Sequence, residues 1–525
     1  PRSPGVPGDT SFPRSLTDAC SFARSSRGGA LKWTFFPTDS KPLRNFVYYS
    51  FPGMVYLSIY SKFQGTACCT MAKQKKKKPL RIQLKIEMLN EQGAGVAFYK
   101  KQKVIIPKTL PGEEILAEYH PGRPRKDRIR LLKLVTPSQQ RRTPRCRYFD
   151  TCGGCQLQHL DYPAQLQFKQ QLIQQVLHPF PQLKSIQVHP VQGMPEPFHY
   201  RNKSQVPFQF QHNRVVFGLY RARTHEVIPI EECLVESQDA NQVLRIVRDW
   251  ATRYQIPVYD EGSGKGILRY VLVRKSMFAH KLMIVLVVTK KEIPHWKALL
   301  QELKIQLATF DSLQLNINNS KSNVILGQEN IVAWGEPYIR ERIGKYLFRI
   351  YPGTFFQINS VQMIKILEKM AAIGDFRPTD RVVDLFSGVG MIALQIAESV
   401  AEVIGVDANS QAIEAAEMNA ADNNVINTQF MSGDATELME RFSGEQPAVD
   451  IVITDPPRKG LQHRLIDKIA EMNPRAVIYL SCNPRTLARD LARFYERGYR
   501  TQEVFPFDMF PQTAHVESLV KLAKA

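Results

Sequence analysis

The chain has 525 residues, 43% of them hydrophobic and 23% charged, a balance that excludes a collagen-like, coiled-coil or wholly disordered protein; at roughly 150 residues per domain, two to four domains are expected. Lys and Arg outnumber Asp and Glu by 21, a surplus that bears on partners rather than fold and points to nucleic acid or another anionic surface. No run reaches the ~18–20 apolar residues that cross a bilayer, the nearest being Phe46 to Tyr60, broken by Pro52-Gly53. The eight cysteines are too sparse for a disulfide scaffold, so reduced, cytoplasmic thiols and no membrane partner are expected.

Residues 1–70 mix Pro, Ser, Gly and aromatics without sustained period-2 or period-3.6 patterning, and Met71 opens a lysine-rich stretch typical of a true start. They are expected to be a non-native or disordered leader, so that a chain shortened to begin at Met71 keeps full activity. Residues 71–145 hold 20 Lys/Arg against 6 Asp/Glu, which concentrates the surplus charge near the start. From Arg81 the residues Ile82, Leu84, Ile86 and Met88 alternate with polar ones, Gly93-Ala94-Gly95 supplies a turn, and Val96 and Phe98 resume the alternation. Further short strands are expected over 103–106, 114–119 and 128–135. Residues 71–140 therefore read as a small OB-like β-barrel whose basic face suits a phosphate backbone, similar to a TRAM domain.

Residues 141–345 combine helical stretches such as 165–177 with alternating strands such as 281–288, which predicts an α+β middle domain. It opens with Cys146, Cys152 and Cys155, three thiols within ten residues around Gly153-Gly154. Cys233 is the fourth ligand by elimination, because Cys20, Cys68 and Cys69 lie in the leader and Cys482 has another task. Four thiolates suit tetrahedral zinc or an iron-sulfur cluster. Structural zinc sites usually draw on two close pairs, so a [4Fe-4S] cluster is favoured over zinc and over free thiols.

Residues 346–525 change, after Asp380, to strand, helix, strand, helix with short apolar runs, the pattern of a parallel sheet wound with helices. Arg381 to Gly390 is a buried strand running through Asp384 into a glycine turn, followed by a helix over 391–398; Val403 to Asp407 is a second strand ending in a carboxylate placed for a ribose diol. Gly388-x-Gly390-x-x-Ala393 also fits a dinucleotide fingerprint. Asp384 before the glycines, Asp434 after the third strand, where an adenine amine is met, and Asp455 after the fourth put an acid at each strand tip. That set suits the cationic sulfonium of S-adenosylmethionine better than a pyrophosphate, and helix capping accounts for one such acid but not the ordered set. Cys482 follows the fifth strand among polar Ser481, Asn483 and Arg485, where a nearby cation or helix N-terminus is expected to lower its pKa from ~8.5. Glu517 lies in a late strand among apolar neighbours, where burial raises its basicity toward that of a general base.

Phe355-Phe356-Gln357-Ile358-Asn359, the Asp384-to-Gly390 turn, Asp455-Pro456-Pro457-Arg458, Ser481-Cys482-Asn483-Pro484 and His515-Val516-Glu517 follow the basic barrel and the cysteine set in this order. Together they resemble the uracil-C5 RNA methyltransferases, specifically the RlmD (RumA) type acting on 23S ribosomal RNA, and the resemblance covers Met71 to Ala525. It implies a C-terminal Rossmann-like class I S-adenosylmethionine-dependent methyltransferase domain, a 23S ribosomal RNA partner and a methylation of the m5U1939 type. By the same resemblance Cys482 is the nucleophile that adds to C6 of uracil and Glu517 the base that removes the C5 proton. Gln357, Phe386, Met391, Asp407, Asp434 and Asp455 form the cofactor pocket, with Asp455 also touching the target base. Two positions depart from the family pattern: Met391 stands where Asn is frequent, and Asp407 where Glu is familiar. Phe355 is a candidate for stacking on base or cofactor. The target uridine must be single-stranded or flipped out to meet a thiolate, the cluster has a structural or RNA-positioning role, and a monomer is expected. Two alternatives remain. A transfer-RNA enzyme of the TrmA type is disfavoured by the barrel and cysteines, and a catalytically silent RNA-binding iron-sulfur protein by the joint presence of Cys482, Glu517 and Asp455.

Overall fold

The computed structural model describes the backbone of 46–51 and 54–59, and residues 79–121, 123, 128–221, 224–442 and 448–525. The chain divides into two units, Pro1–Lys76 and Lys77–Ala525. In the first unit, Phe46–Phe51 and Met54–Ile59 pair antiparallel, with Phe46 opposite Ile59. The expected patternless leader therefore contains a hairpin. Its strand signal is not an alternation because aromatic and β-branched residues, all good strand formers, run consecutively. The rest of the expected leader lies outside the described residues.

In the second unit the first strands form two three-stranded sheets: Leu80–Lys85, Glu114–Tyr119 and Ile129–Thr136 in one, Met88–Leu89, Gly95–Tyr99 and Gln102–Ile106 in the other. They share a core of Ile82, Leu84, Ile86, Ala97, Val104, Ile106, Ile115 and Ala117. The alternation from Arg81 does not run through to Met88. After Lys85 the chain changes partner, the Ile86 N–H donating to Glu113 O (2.9 Å) and the Glu87 N–H to Val96 O (2.8 Å). Met88 thus belongs to a second strand and is 43% exposed.

A seven-stranded sheet follows, in the order Val227–Pro229, Arg214–Tyr220, Lys203–Gln211, Leu268–Lys275, Leu282–Val288, Phe310–Ile317, Glu329–Gly335. Leu282–Val288 is buried along its whole length, and the helices Gln238–Arg253 and Trp296–Gln306 pack into the same core.

The largest sheet runs Thr428–Ser432, Glu402–Asp407, Arg381–Leu385, Ile451–Thr454, Ala476–Ser481, Glu517–Lys524, Glu503–Phe507, Gln187–Val188, with Tyr499–Arg500 pairing onto Glu517–Lys524. The first five are parallel; the four inner ones are rich in Val, Ile and Leu and largely buried, as burial on both faces requires, whereas the edge strand Thr428–Ser432 has no fully buried residue. Strand order reverses on either side of Arg381–Leu385, so a crevice opens at the carboxyl ends of the strands there. Glu517–Lys524 runs antiparallel to Ala476–Ser481 with Ser518 opposite Ser481. One step beyond that pair, the register brings Glu517 beside Cys482.

Two ties hold the pieces of this unit around the crevice. Leu89 and Leu110 from the first sheets pack with Leu157, Phe168, Leu172 and Ala514, and Gly93, at φ +71°, sits where a Cβ would meet Leu157 at 2.8 Å. From the seven-stranded sheet, the Asn202 side-chain amide donates to Gln357 O (2.8 Å) and the Arg274 guanidinium to Pro352 O (3.2 Å) and Thr354 O.

Candidate active site

The cofactor end of the crevice is built from strand tips. Asp384 is fully buried at the end of Arg381–Leu385, and neither carboxylate oxygen completes a hydrogen bond. Burial, and then the neighbouring Asp455, push its pKa well above the ordinary carboxylate value, opposed by the Ala393 amide. Past it the chain turns through Phe386, Gly388 and Gly390, all in the left-handed region at φ 64°, 54° and 79°. At Gly390 a Cβ would lie 2.9 Å from the Phe430 ring, so the tight turn into the helix Met391–Ile396 needs glycine there. Asp407 is held by backbone amides, Oδ2 accepting from Gly388 N (3.0 Å) and Oδ1 from Asn409 N (2.8 Å). Asp434 Oδ1 accepts from the amides of Thr436 (2.8 Å) and Glu437 (3.3 Å). Asp434 therefore caps the helix Ala435–Phe442, a role that leaves Oδ2 open. Met391 is 6% exposed and packs in the hydrophobic core, so its side chain serves packing and only its backbone lies at the turn.

Gln357 links this end to the reaction end: its side-chain amide donates to Asp455 Oδ2 (2.9 Å). Asp455 is raised to about 7 by burial, against the pull of Gln357. Glu517 is 2% exposed, and its Oε1 has no hydrogen-bond partner. Burial and then Asp455 push it well above the usual carboxylate range, with Arg458 opposing. The aromatic pair divides, Phe356 entering the core while Phe355 is 66% exposed.

Cys482 is half-buried at the end of Ala476–Ser481, just before Asn483, whose side chain caps the helix Pro484–Glu496 by accepting from Arg485 N. The thiol is pushed up to about 12, first by burial, then by Glu517 and Asp455, with Arg458 pulling the other way. The expected lowering is thus reversed. The cation is present, but desolvation and two carboxylates outweigh it. Cys482 opens on a cavity of about 390 Å³ lined also by Arg458, His515, Asn483, Arg485, Gln156, Glu91 and Gln92.

Five of these wall residues, Arg458, His515, Gln156, Glu91 and Gln92, had no role in the sequence reading. Arg458 lies 3.4 Å from His515 Nε2, and both stand within motifs already quoted, which was the available signal. Glu91 forms an ion pair with Arg485 across 394 residues of sequence, and neither Glu91 nor Gln92 carries any local signature. The loop ahead of His515 is fastened by a fully buried Lys169–Asp508 pair, with Tyr162 OH donating to Asp508 Oδ2 (2.8 Å).

Cys152 and Cys155 flank the core that contains Cys233. Burial raises Cys152, raises Cys155 to about 11 and raises Cys233 further, with smaller contributions from Cys146 on Cys152 and Cys155, and from Cys155 on Cys233. The four thiols share a neighbourhood. Among the described residues, however, no group of three or more His, Cys, Asp or Glu side chains is gathered closely enough to hold a metal ion. Among those residues no helix is long and apolar enough to cross a membrane.

The residues at the strand tips fit S-adenosylmethionine: the buried Asp384 carboxylate, with neither oxygen partnered, suits a cationic ligand, and Asp434 Oδ2 remains for an amine donor. Comparison with known proteins agrees. Residues 161–525 match the family model described as tRNA (uracil-5-)-methyltransferase. An RNA methyltransferase of Halalkalibacterium halodurans is 36% identical over 84% of this chain and 96% of its own length. One from Bacillus cereus is 37% identical over 84% and 96%. The crystal structure of Pyrococcus abyssi tRNA (uracil-54, C5)-methyltransferase in complex with S-adenosyl-L-homocysteine is 30% identical, covers 84% of this chain and 99% of its own, and superposes with a TM-score of 0.67. The chain belongs to the RNA m5U methyltransferase superfamily and is an S-adenosylmethionine-dependent RNA uracil-C5 methyltransferase.

Proposed function

We propose that this enzyme methylates C5 of one uridine in 23S ribosomal RNA through a covalent adduct between Cys482 and C6 of the base. The reading is supported above all by the convergence of Glu517 and Asp455 on Cys482, which together with Arg458 lines one cavity. When bound, S-adenosylmethionine supplies the electrophilic methyl group; Asp384, Asp407, Asp434, Phe386, Gln357 and the Met391 backbone hold it.

The thiol is protonated at neutral pH and must lose that proton to attack C6. Glu517 is needed later, as an ionised base, to take the C5 proton while the C6–S bond breaks and the thiolate leaves. It therefore cannot keep the thiol's proton. Asp455, raised to about 7, is the acceptor in the same neighbourhood, and once protonated it no longer raises Glu517. Arg458 steadies the thiolate and, later, the Glu517 carboxylate.

The ribosomal substrate is favoured by the basic segment 71–145 and by the four cysteines, which are not gathered for a single metal ion but which we propose draw together around a larger [4Fe-4S] cluster with a structural role. Iron and sulfide assays on anaerobically purified protein test that; zinc, or no metal, refutes it. A second reading, a transfer-RNA substrate, is favoured by the likeness to the archaeal transfer-RNA enzyme. Mass spectrometry of ribosomal and transfer RNA from cells with and without the gene decides. Loss of one 5-methyluridine from 23S ribosomal RNA alone supports the first reading, and loss from transfer RNA alone the second.

A further inference from the structure

Lys203–Gln211 runs antiparallel to Leu268–Lys275 with Lys203 directly opposite Arg274, so both side chains project from the same face of the sheet. Arg274 is 2% exposed; its guanidinium donates only to the carbonyls of Pro352 and Thr354, and its Nε is buried with no partner. Lys203 is half-buried beside it, and among the described residues no acid faces either cation. Burial, with Arg274 adding to it, brings the Lys203 ammonium down to about 7. Two neighbouring cations without a counter-charge destabilise the free protein, which marks the place as built for an anion.

The segment they grip gives that anion an identity. Residues 352–354 supply the carbonyls, Phe355 follows with 66% of its surface exposed, and Gln357 then reaches Asp455 in the reaction centre. Asn202, next to Lys203, holds the Gln357 carbonyl. Unpaired positive charge, a free aromatic ring and the catalytic crevice thus follow one another along a six-residue loop. We propose that Lys203 and Arg274 form a phosphate site for the RNA strand that delivers the target uridine, with Phe355 as the stacking platform for a neighbouring base. The proposal rests on the uracil-C5 methyltransferase reading. A flipped uridine brings its flanking phosphates to the mouth of the crevice, where the half-buried Lys203 ammonium supplies a charge-assisted donor and the buried Arg274 opposite it adds positive charge. Stacking on an exposed ring tolerates any base, so the site positions the strand without reading its sequence.

The test uses the full chain and a uridine-containing RNA stem-loop that the wild-type protein methylates. Lys203→Gln is expected to bind this RNA about tenfold more weakly, the loss of one hydrogen bond to a charged group. Its slope of log affinity against log salt should be shallower by about 0.7, while Lys203→Arg retains both. S-adenosylhomocysteine affinity should stay unchanged, and the melting temperature of the free protein should not fall, because an uncompensated charge has been removed. Phe355→Ala should weaken RNA binding at least about fivefold with no change in salt slope. Unchanged RNA affinity and slope in Lys203→Gln overturn the site, as does a loss confined to S-adenosylhomocysteine, which would make the anion the cofactor carboxylate. If the wild-type protein methylates no RNA, the reading beneath the site falls and takes the site with it.

Discussion

Two opposite charge arrangements meet at the loop 352–357. Toward the crevice stand three buried acids, Asp384, Asp455 and Glu517, with Arg458 the cation acting on Glu517. Toward the seven-stranded sheet stand two cations, Lys203 and Arg274, which no acid faces among the described residues. A buried charge can instead meet an opposite one, as in the fully buried Lys169–Asp508 pair. Burying an ion without a partner is costly enough that its survival in a fold marks chemistry or a missing ligand. The acidic side answers to a cationic cofactor and to proton transfer, and the basic side to a polyanion.

The largest effect should come from breaking the acidic half. Cys482→Ala is expected to abolish methylation and adduct formation together. Glu517→Gln should slow turnover about 10²–10⁴-fold while a protein–RNA band accumulates on denaturing gels; a Glu517→Gln enzyme that traps no RNA would remove the covalent route. Next in size is the compensated pair. Lys169→Met leaves the Asp508 carboxylate buried without a counter-charge and should cost about 3–5 kcal/mol in urea unfolding. Asp455→Asn sharpens the contrast in the other direction. An acid raised from 3.8 to about 7 binds a proton in the folded chain that the unfolded chain has lost, so its contribution to stability falls as pH rises from about 4 to about 7. The substitution should therefore stabilise the fold at pH 8 by up to about 4 kcal/mol, with the gain vanishing near pH 4 in thermal melts, while methylation is lost. The smallest effect belongs to the surface pair: Glu91→Gln, whose partner Arg485 has a 70% exposed side chain, should change the free energy of unfolding in urea by less than about 1 kcal/mol.

Much of the catalytic half was legible in the chain itself. Short apolar runs ending in Asp384, Asp407 and Asp455 announce strands with acids at their tips because parallel strands buried on both faces need unbroken apolar sequence. The run after Lys85 misled because period-2 patterning does not show where a strand changes partner. Cys482 misled in its titration: its sequence neighbours are polar, whereas its spatial neighbours, Glu517 and Asp455, are acids brought in by the sheet.

By itself the sequence determined the α/β class of the C-terminal domain and the order of the strand-tip acids, since these depend on local periodicity and residue chemistry, while the roles proposed for Cys482 and Glu517 come from the family resemblance. Only the tertiary structure decided that Glu91 and Gln92 wall the cavity, that Asp434 caps a helix, and that Lys203 stands opposite Arg274. Burial, cross-strand register and contacts between residues hundreds of positions apart are properties of packing. Local sequence carries the propensity to form an element, and the field each side chain feels is set by what that element packs against.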